Sequence, residues 1–251
     1  MRAVFLLVAF LFAATPASAI DRPTFNPTIG ARLDLTRVLR EASGVEAPLS
    51  SILGGRPALV VFGYDKCPNL CGVTQRAVAS ELRKTGLDPE AYRALFISID
   101  KTETRDDAAE ARAGVAEVTD AKGLSAWRFL TSGKGDGAVL AAEAGIDFRA
   151  RPRIDQFVHP IAVLALTPQG RIAQVLPALQ FEARDLRLAL VQASAGKLGS
   201  LGDHIFLLCA GFDASKGQYT PTIKVVLRIG GIVTMALLLG AIGAMTWRRR
   251  A

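Results

Sequence analysis

The chain has 251 residues, 50% of them apolar, and a formal charge of +7. That length suits one domain with appendages or two small ones, and the apolar share supports a core and points to a membrane segment. Arg2 and Arg248 to Arg250 carry four of the positive charges, so the body between them is only mildly basic and offers no case for nucleic-acid binding.

Residues 1–19 read as a secretory signal. Arg2 supplies a positive start, Ala3 to Ala14 is apolar, and Ala17-Ser18-Ala19 has the form of a cleavage site before Ile20. Residues 20–196 are expected to form the folded domain. Its first part, to about residue 50, is turn-like, with an irregular strand or hairpin over 33–39 and a turn over 51–57. Ala58 to Phe62 is the first clear strand, and a helix is expected from Cys71 to Leu87, with Val73, Ala77, Val78 and Leu82 as its buried stripe and Gly86 as its terminating glycine.

A second buried strand covers Ala94 to Ile99. A helix then runs from Thr104, its N-cap, to Glu117, with two aspartates in its first turn. Trp127 to Leu130 reads as an edge strand, and Asp136 to Ala144 as a helix closed by Gly145. Ile161 to Leu166 and Arg171 to Leu176 flank a Pro168-Gln169-Gly170 turn and predict an antiparallel hairpin. A last helix is expected over Glu182 to Ala195, burying Leu186, Leu190 and Val191.

This order gives an α/β fold, a mixed sheet flanked by helices. The cysteine-bearing helix start after the first long strand, with a late hairpin, is the thioredoxin-like arrangement. Residues 197–228 read as a juxtamembrane linker. Ile229 to Trp247 is uncharged and at about 1.5 Å per residue spans roughly 28 Å, which suits one transmembrane helix. Arg248 to Arg250 open a short tail, 248–251, that the positive-inside rule places in the cytoplasm. The domain is then expected on the periplasmic side of the inner membrane.

Chemistry concentrates in Cys67-Pro68-Asn69-Leu70-Cys71. Four residues apart on a helix, two thiols share a face about 5–6 Å apart at Cβ. That separation suits a soft metal ion or, after adjustment, a disulfide. The adjoining helix start is expected to lower the pKa of at least one thiol. His159 precedes the third strong strand, where a thioredoxin-like sheet would bring it beside the cysteines. Two thiolates and an imidazole suit copper, as Cu(I) or Cu(II). A histidine before a strand also commonly serves as a solvated or capping residue. Asp65 is either a neighbour of the site or a turn residue. His204 reads as surface, and Cys209, left over from a Cys67–Cys71 pair, as a structural thiol.

Phe62-Gly63-Tyr64 before the Cys67–Cys71 motif, Phe96-Ile97-Ser98-Ile99-Asp100 and His159 together resemble the SCO/SenC family of copper chaperones. The segment from Leu207 to Tyr219, followed by an arginine-ended apolar run, is similar to a bacterial branch with a C-terminal anchor. The resemblance implies copper bound by Cys67, Cys71 and His159 and delivered to the CuA-bearing subunit of cytochrome c oxidase, with a copper donor and a thiol reductant as further partners. It also allows Cys67 and Cys71 to work as a redox pair, a thiol–disulfide oxidoreductase acting on the oxidase's cysteines. The chain departs from the family pattern at Val158, often Asp, at Lys101, often Pro, and at Ala210 and Gly211, usually aromatic and His. The first two bear on copper affinity through groups around the ligands.

Overall fold

A computed structural model describes residues 23–154, 156–177 and 179–196, with short segments between 212 and 239. A hairpin of β1 (Val38–Glu41) and β2 (Glu46–Pro48) leads into a short helix α1 (Leu49–Leu53), where a turn was expected. Leu49, Ile52 and Leu53 are buried, and Gly54 ends that helix in the left-handed region. Strand β3 (Ala58–Gly63), helix α2 (Cys71–Lys84), strand β4 (Arg93–Ser98), helix α3 (Arg105–Ala116), a single-turn helix α4 (Ala121–Leu124) and strand β5 (Trp127–Thr131) follow. Then come α5 (Asp136–Glu143), β6 (Arg149–Arg151), β7 (Gln156–Val158), β8 (Ala162–Leu166), β9 (Ile172–Pro177) and α6 (Ala183–Ser194).

The main sheet has the order β2-β1-β5-β4-β3-β8-β9. β3, β4 and β5 are parallel, while β8 runs antiparallel to β3. Every residue of β3, β4 and β8 is buried, as befits largely apolar strands covered on both faces. Helix α2 packs against both α3 and α6, and α5 against β1 and β4. Phe62, Phe96 and Phe129 fill the core.

Several expectations shift. Trp127–Thr131 is an interior strand, because β1 pairs on its outer side. Helix α2 buries Thr74, Gln75, Val78, Ala79 and Leu82, whereas Val73 is 42% exposed. The polar residues at 74 and 75 disguised the buried stripe. In α6 Leu186, Ala189, Leu190 and Ala193 are buried and Val191 is exposed. The Thr104 cap is present: its side chain accepts from the N–H of Asp106, and Asp107 closes a capping box. Gly86 and Gly145 take positive φ just beyond their helices, which favours glycine there. The β6–β7 hairpin, which leads into His159, was not foreseen.

The leader over 1–19, most of the linker, His204 and Cys209 lie outside the described residues. The described positions within 229–239 are helical. Among the described residues no helix is long and apolar enough to cross a membrane.

Candidate metal centre

The site sits where the parallel strands β3 and β4 end. Ligands gather at the carboxyl ends of such strands, because the loops there leave the sheet together. The loop after β3 carries Tyr64 to Leu70, and the loop after β4 carries Ile99 to Thr104. β8 is antiparallel to β3, with Val163 opposite Val61, so the start of β8 lies at the same end of the sheet. This topology delivers His159 to the cysteines.

Cys71 opens α2, but Cys67 lies outside it, so the two thiols are not neighbours on one helical face. Pro68 is the reason: a residue before proline is pushed out of helical geometry. Cys67 instead sits in a turn in which its N–H donates to the Tyr64 carbonyl at 3.3 Å. No side chain at Leu70 caps α2. The N–H groups of Cys71 and Asn69 lie towards the Cys67 sulfur and favour its thiolate form.

The two thiols are electrostatically unequal. The Cys71 thiol, hydrogen-bonded to Cys67, and the helix-start N–H groups hold Cys67 down at about 5, against the upward push of burial. Donation to Cys67, and then burial, push Cys71 up. At neutral pH the metal-free pair is a half-buried Cys67 thiolate facing a Cys71 thiol that is only 2% exposed.

His159 Nε2 stands 3.8 Å from Cys71 Sγ. Its Nδ1 lies 3.0 Å from the Pro160 carbonyl oxygen. A carbonyl only accepts, so Nδ1 carries the proton and the Nε2 lone pair faces the sulfur. Burial holds the imidazole below its usual pKa, against the pull of the Pro160 carbonyl. A neutral ring with Nε2 free is the form that binds a metal.

Aromatic rings seat these groups. Tyr64 packs edge-on against His159 and Phe157, at centroid distances of 6.1 and 5.4 Å. The buried Tyr64 hydroxyl faces Cys67 but has no hydrogen-bond partner of normal length. Gly63 gives the space: a Cβ there would lie 2.9 Å from Phe96 Cζ and 3.1 Å from Cys71 Sγ.

Behind the thiols, Asp65 and Glu103 form a carboxyl pair. Burial, and then the charge of Glu103, push Asp65 up to about 8, so it is protonated at neutral pH. Glu103 accepts from the N–H groups of Asp65 and Lys66 and from the Ser98 hydroxyl, at 2.8, 2.7 and 2.6 Å. Sequence reasoning missed Glu103. It is one acid among several between Asp100 and Asp107, and nothing local marks it as buried.

Cys67, Cys71 and His159 thus share one place, with two soft sulfur donors and one imidazole donor. Among the described residues no set of three His, Cys, Asp or Glu side chains already stands closed around a metal position. The donor chemistry fits a thiophilic ion.

The SCO1/SenC family model matches residues 46–187. No curated protein matches the chain. Among solved structures, a protein of Aquifex aeolicus VF5 is 19% identical, with a TM-score of 0.59 over 68% of this chain and 96% of that one. Bradyrhizobium japonicum ScoI, solved with copper bound, is 20% identical, with a TM-score of 0.52 over 66% of this chain and 99% of that one. BsSco, a member of the Sco family of cytochrome c oxidase assembly proteins in which a disulfide switch was identified, is 16% identical, with a TM-score of 0.50 over 70% and 98%. At these identities the structures speak for the shared thioredoxin-like fold. The family match covers more than half of the sequence and includes Cys67, Cys71 and His159, and the chain belongs to the SCO1/SenC family.

Proposed function

We propose that the protein is a membrane-anchored copper chaperone of cytochrome c oxidase assembly. Cys67, Cys71 and His159 bind a single copper ion, which passes by ligand exchange to the CuA-bearing subunit. The observation that carries this reading is the Cys71–His159 contact at 3.8 Å, made across 88 residues of sequence, with the free Nε2 turned to the sulfur. Thiolates suit Cu(I), and the imidazole extends the set to Cu(II). Copper in Bradyrhizobium ScoI and the oxidase-assembly role of the BsSco family support the same reading.

On this reading residues 1–19 direct export and 229–247 anchor the domain on the periplasmic face of the inner membrane, raising its concentration near the oxidase. The exposed Ile229, Ile232, Met235, Leu238 and Leu239 within the described helical positions support an anchor.

The test is copper titration of the reduced, purified protein beside His159→Ala. One copper per chain is expected, with a sulfur-to-Cu(II) charge-transfer band. Changes to groups around ligands cost about 10–100-fold in metal affinity, so loss of a ligand should weaken Cu(II) binding by at least about 100-fold. Absence of stable copper, with reversible Cys67–Cys71 oxidation intact in both proteins, would sink the chaperone reading.

One observation favours a second reading. A half-buried low-pKa thiol paired with a buried high-pKa thiol is the arrangement of a thiol–disulfide oxidoreductase. The same cysteines would then reduce the oxidase's metal-binding cysteines, with His159 tuning the thiols. Disulfide exchange that survives His159→Ala distinguishes this activity.

A further inference from the structure

Glu103 is only 4% exposed. A buried carboxylate is costly unless hydrogen bonds satisfy it. Two of its anchors are consecutive backbone N–H groups, those of Asp65 and Lys66, one to each oxygen. Both belong to the turn that ends at Cys67. Consecutive N–H groups converging on one anion form a cradle, here filled by a side chain from the β4–α3 connection. The Ser98 hydroxyl, at the end of β4, holds the carboxyl from behind at 2.6 Å. The same hydroxyl accepts from the N–H of Asp100 at 3.1 Å, which ties the β4–α3 connection back to its strand.

A second tie is weaker. Lys66 Nζ lies 3.3 Å from Asp107, but the lysine is more than half exposed, so the pair adds little. Inside the turn itself the described backbone bond is the long one from Cys67 N–H to the Tyr64 carbonyl. Pro68 has no N–H to add another. Glu103 therefore supplies two short hydrogen bonds that hold the turn's backbone from another segment.

We propose that Glu103 is the positioning residue of the thiol site: it pins the Cys67 turn so that the Cys67 sulfur stays against Cys71 and within reach of His159. Among the described residues it makes no hydrogen bond to the sulfurs or the imidazole, and only its charge bears on Cys71. Its action is to restrict where Cys67 can be, which raises the effective concentration of one thiol for the other. The inference deepens the function proposed above and rests on it only in taking Cys67 and Cys71 as the working thiols.

A metal-free measurement tests it. The purified protein is equilibrated with mixtures of reduced and oxidised glutathione. One oxidised glutathione takes two electrons and two protons from Cys67 and Cys71, which close to a disulfide, and two glutathione thiols are released. The equilibrium constant is the effective concentration of the two cysteines. Glu103→Ala is expected to lower it about tenfold or more, the scale of a lost charge-assisted hydrogen bond. Glu103→Gln keeps one accepting oxygen but turns an amide NH2 towards the other N–H, and should fall between. Lys66→Met removes the exposed ion pair, leaves both backbone N–H groups and should match the wild type.

Thermal melts confirm that each variant is folded; if Glu103→Ala does not fold, Glu103→Gln decides alone. Folded Glu103 variants that hold the wild-type equilibrium within about twofold would overturn the proposal. So would Lys66→Met falling as far as Glu103→Ala. Copper loading is scored separately: a wild type that binds no copper but shows the Glu103 effect defeats the chaperone reading and leaves this inference standing.

Discussion

Two cysteines of identical chemistry become opposites through their surroundings. Cys67 faces the helix-start N–H groups and the Cys71 S–H, and takes the charge. Cys71, walled in beside β3 and His159, keeps the proton. The expected consequence is selective alkylation. Iodoacetamide should modify Cys67 well before Cys71 in the reduced, metal-free protein, and the pH–rate profile should rise with an inflection near 5. Peptide mapping after a short pulse reads this directly. Equal labelling of both cysteines, or an inflection near the ordinary thiol value, would contradict the asymmetry. His159 adds the complementary feature. Its proton is committed to the Pro160 carbonyl, so the ring reaches the sulfur with a lone pair.

Among the elements, β3 and the β6–β7 hairpin do most to build the site. β3 ends in Gly63 because the Phe96 ring and the Cys71 sulfur occupy the space a side chain would need. Gly63→Ala is expected to displace the start of α2. Overpacking of this kind costs about 1–3 kcal/mol, and the melting temperature should fall accordingly. Copper affinity should drop as well, since the displaced atom is a ligand in the proposed site. A variant with unchanged copper binding and stability would show that the β3 end yields freely. The hairpin reaches the site through Phe157, which packs edge-to-face with both Phe148 and Tyr64, at 6.0 and 5.4 Å. Its far end stays in solvent, with Ile154 60% exposed.

At the scale of the whole molecule, the protonated Asp65 makes stability depend on pH. Its folded value of about 8 stands above the ordinary 3.8, so the folded state keeps this proton where the unfolded chain has lost it. The contribution is fully present below about pH 4 and declines as pH rises towards 8. Asp65→Asn cannot ionise. Measured by denaturant midpoints, it should gain on the wild type progressively between pH 4 and 8. A difference that stays constant across that range would mean that Asp65 titrates normally.

What could be read from sequence follows physical range. Largely apolar runs announced β3, β4 and β8, because strands buried on both faces need no alternation. Local capping chemistry announced α3, and the Pro168-Gln169-Gly170 turn announced the β8–β9 hairpin. The Cys67–Cys71 motif and His159 were legible as candidates because soft-metal and redox chemistry draw on few residue types.

The rest depended on distant neighbours. Whether Trp127–Thr131 lay inside the sheet turned on where β1 would pair. That Cys67 stands outside α2 follows from the path that Pro68 imposes and from the hold of Glu103 on the N–H groups of the turn, 37 residues from Lys66. The sequence by itself determined the candidate donors, the strands β3, β4, β8 and β9 and the order in which they come. The tertiary structure alone decided which thiol holds the charge, which imidazole nitrogen is free and which carboxylate is buried. Those properties arise from burial and hydrogen bonds between segments far apart in the chain, and local patterns carry no record of them.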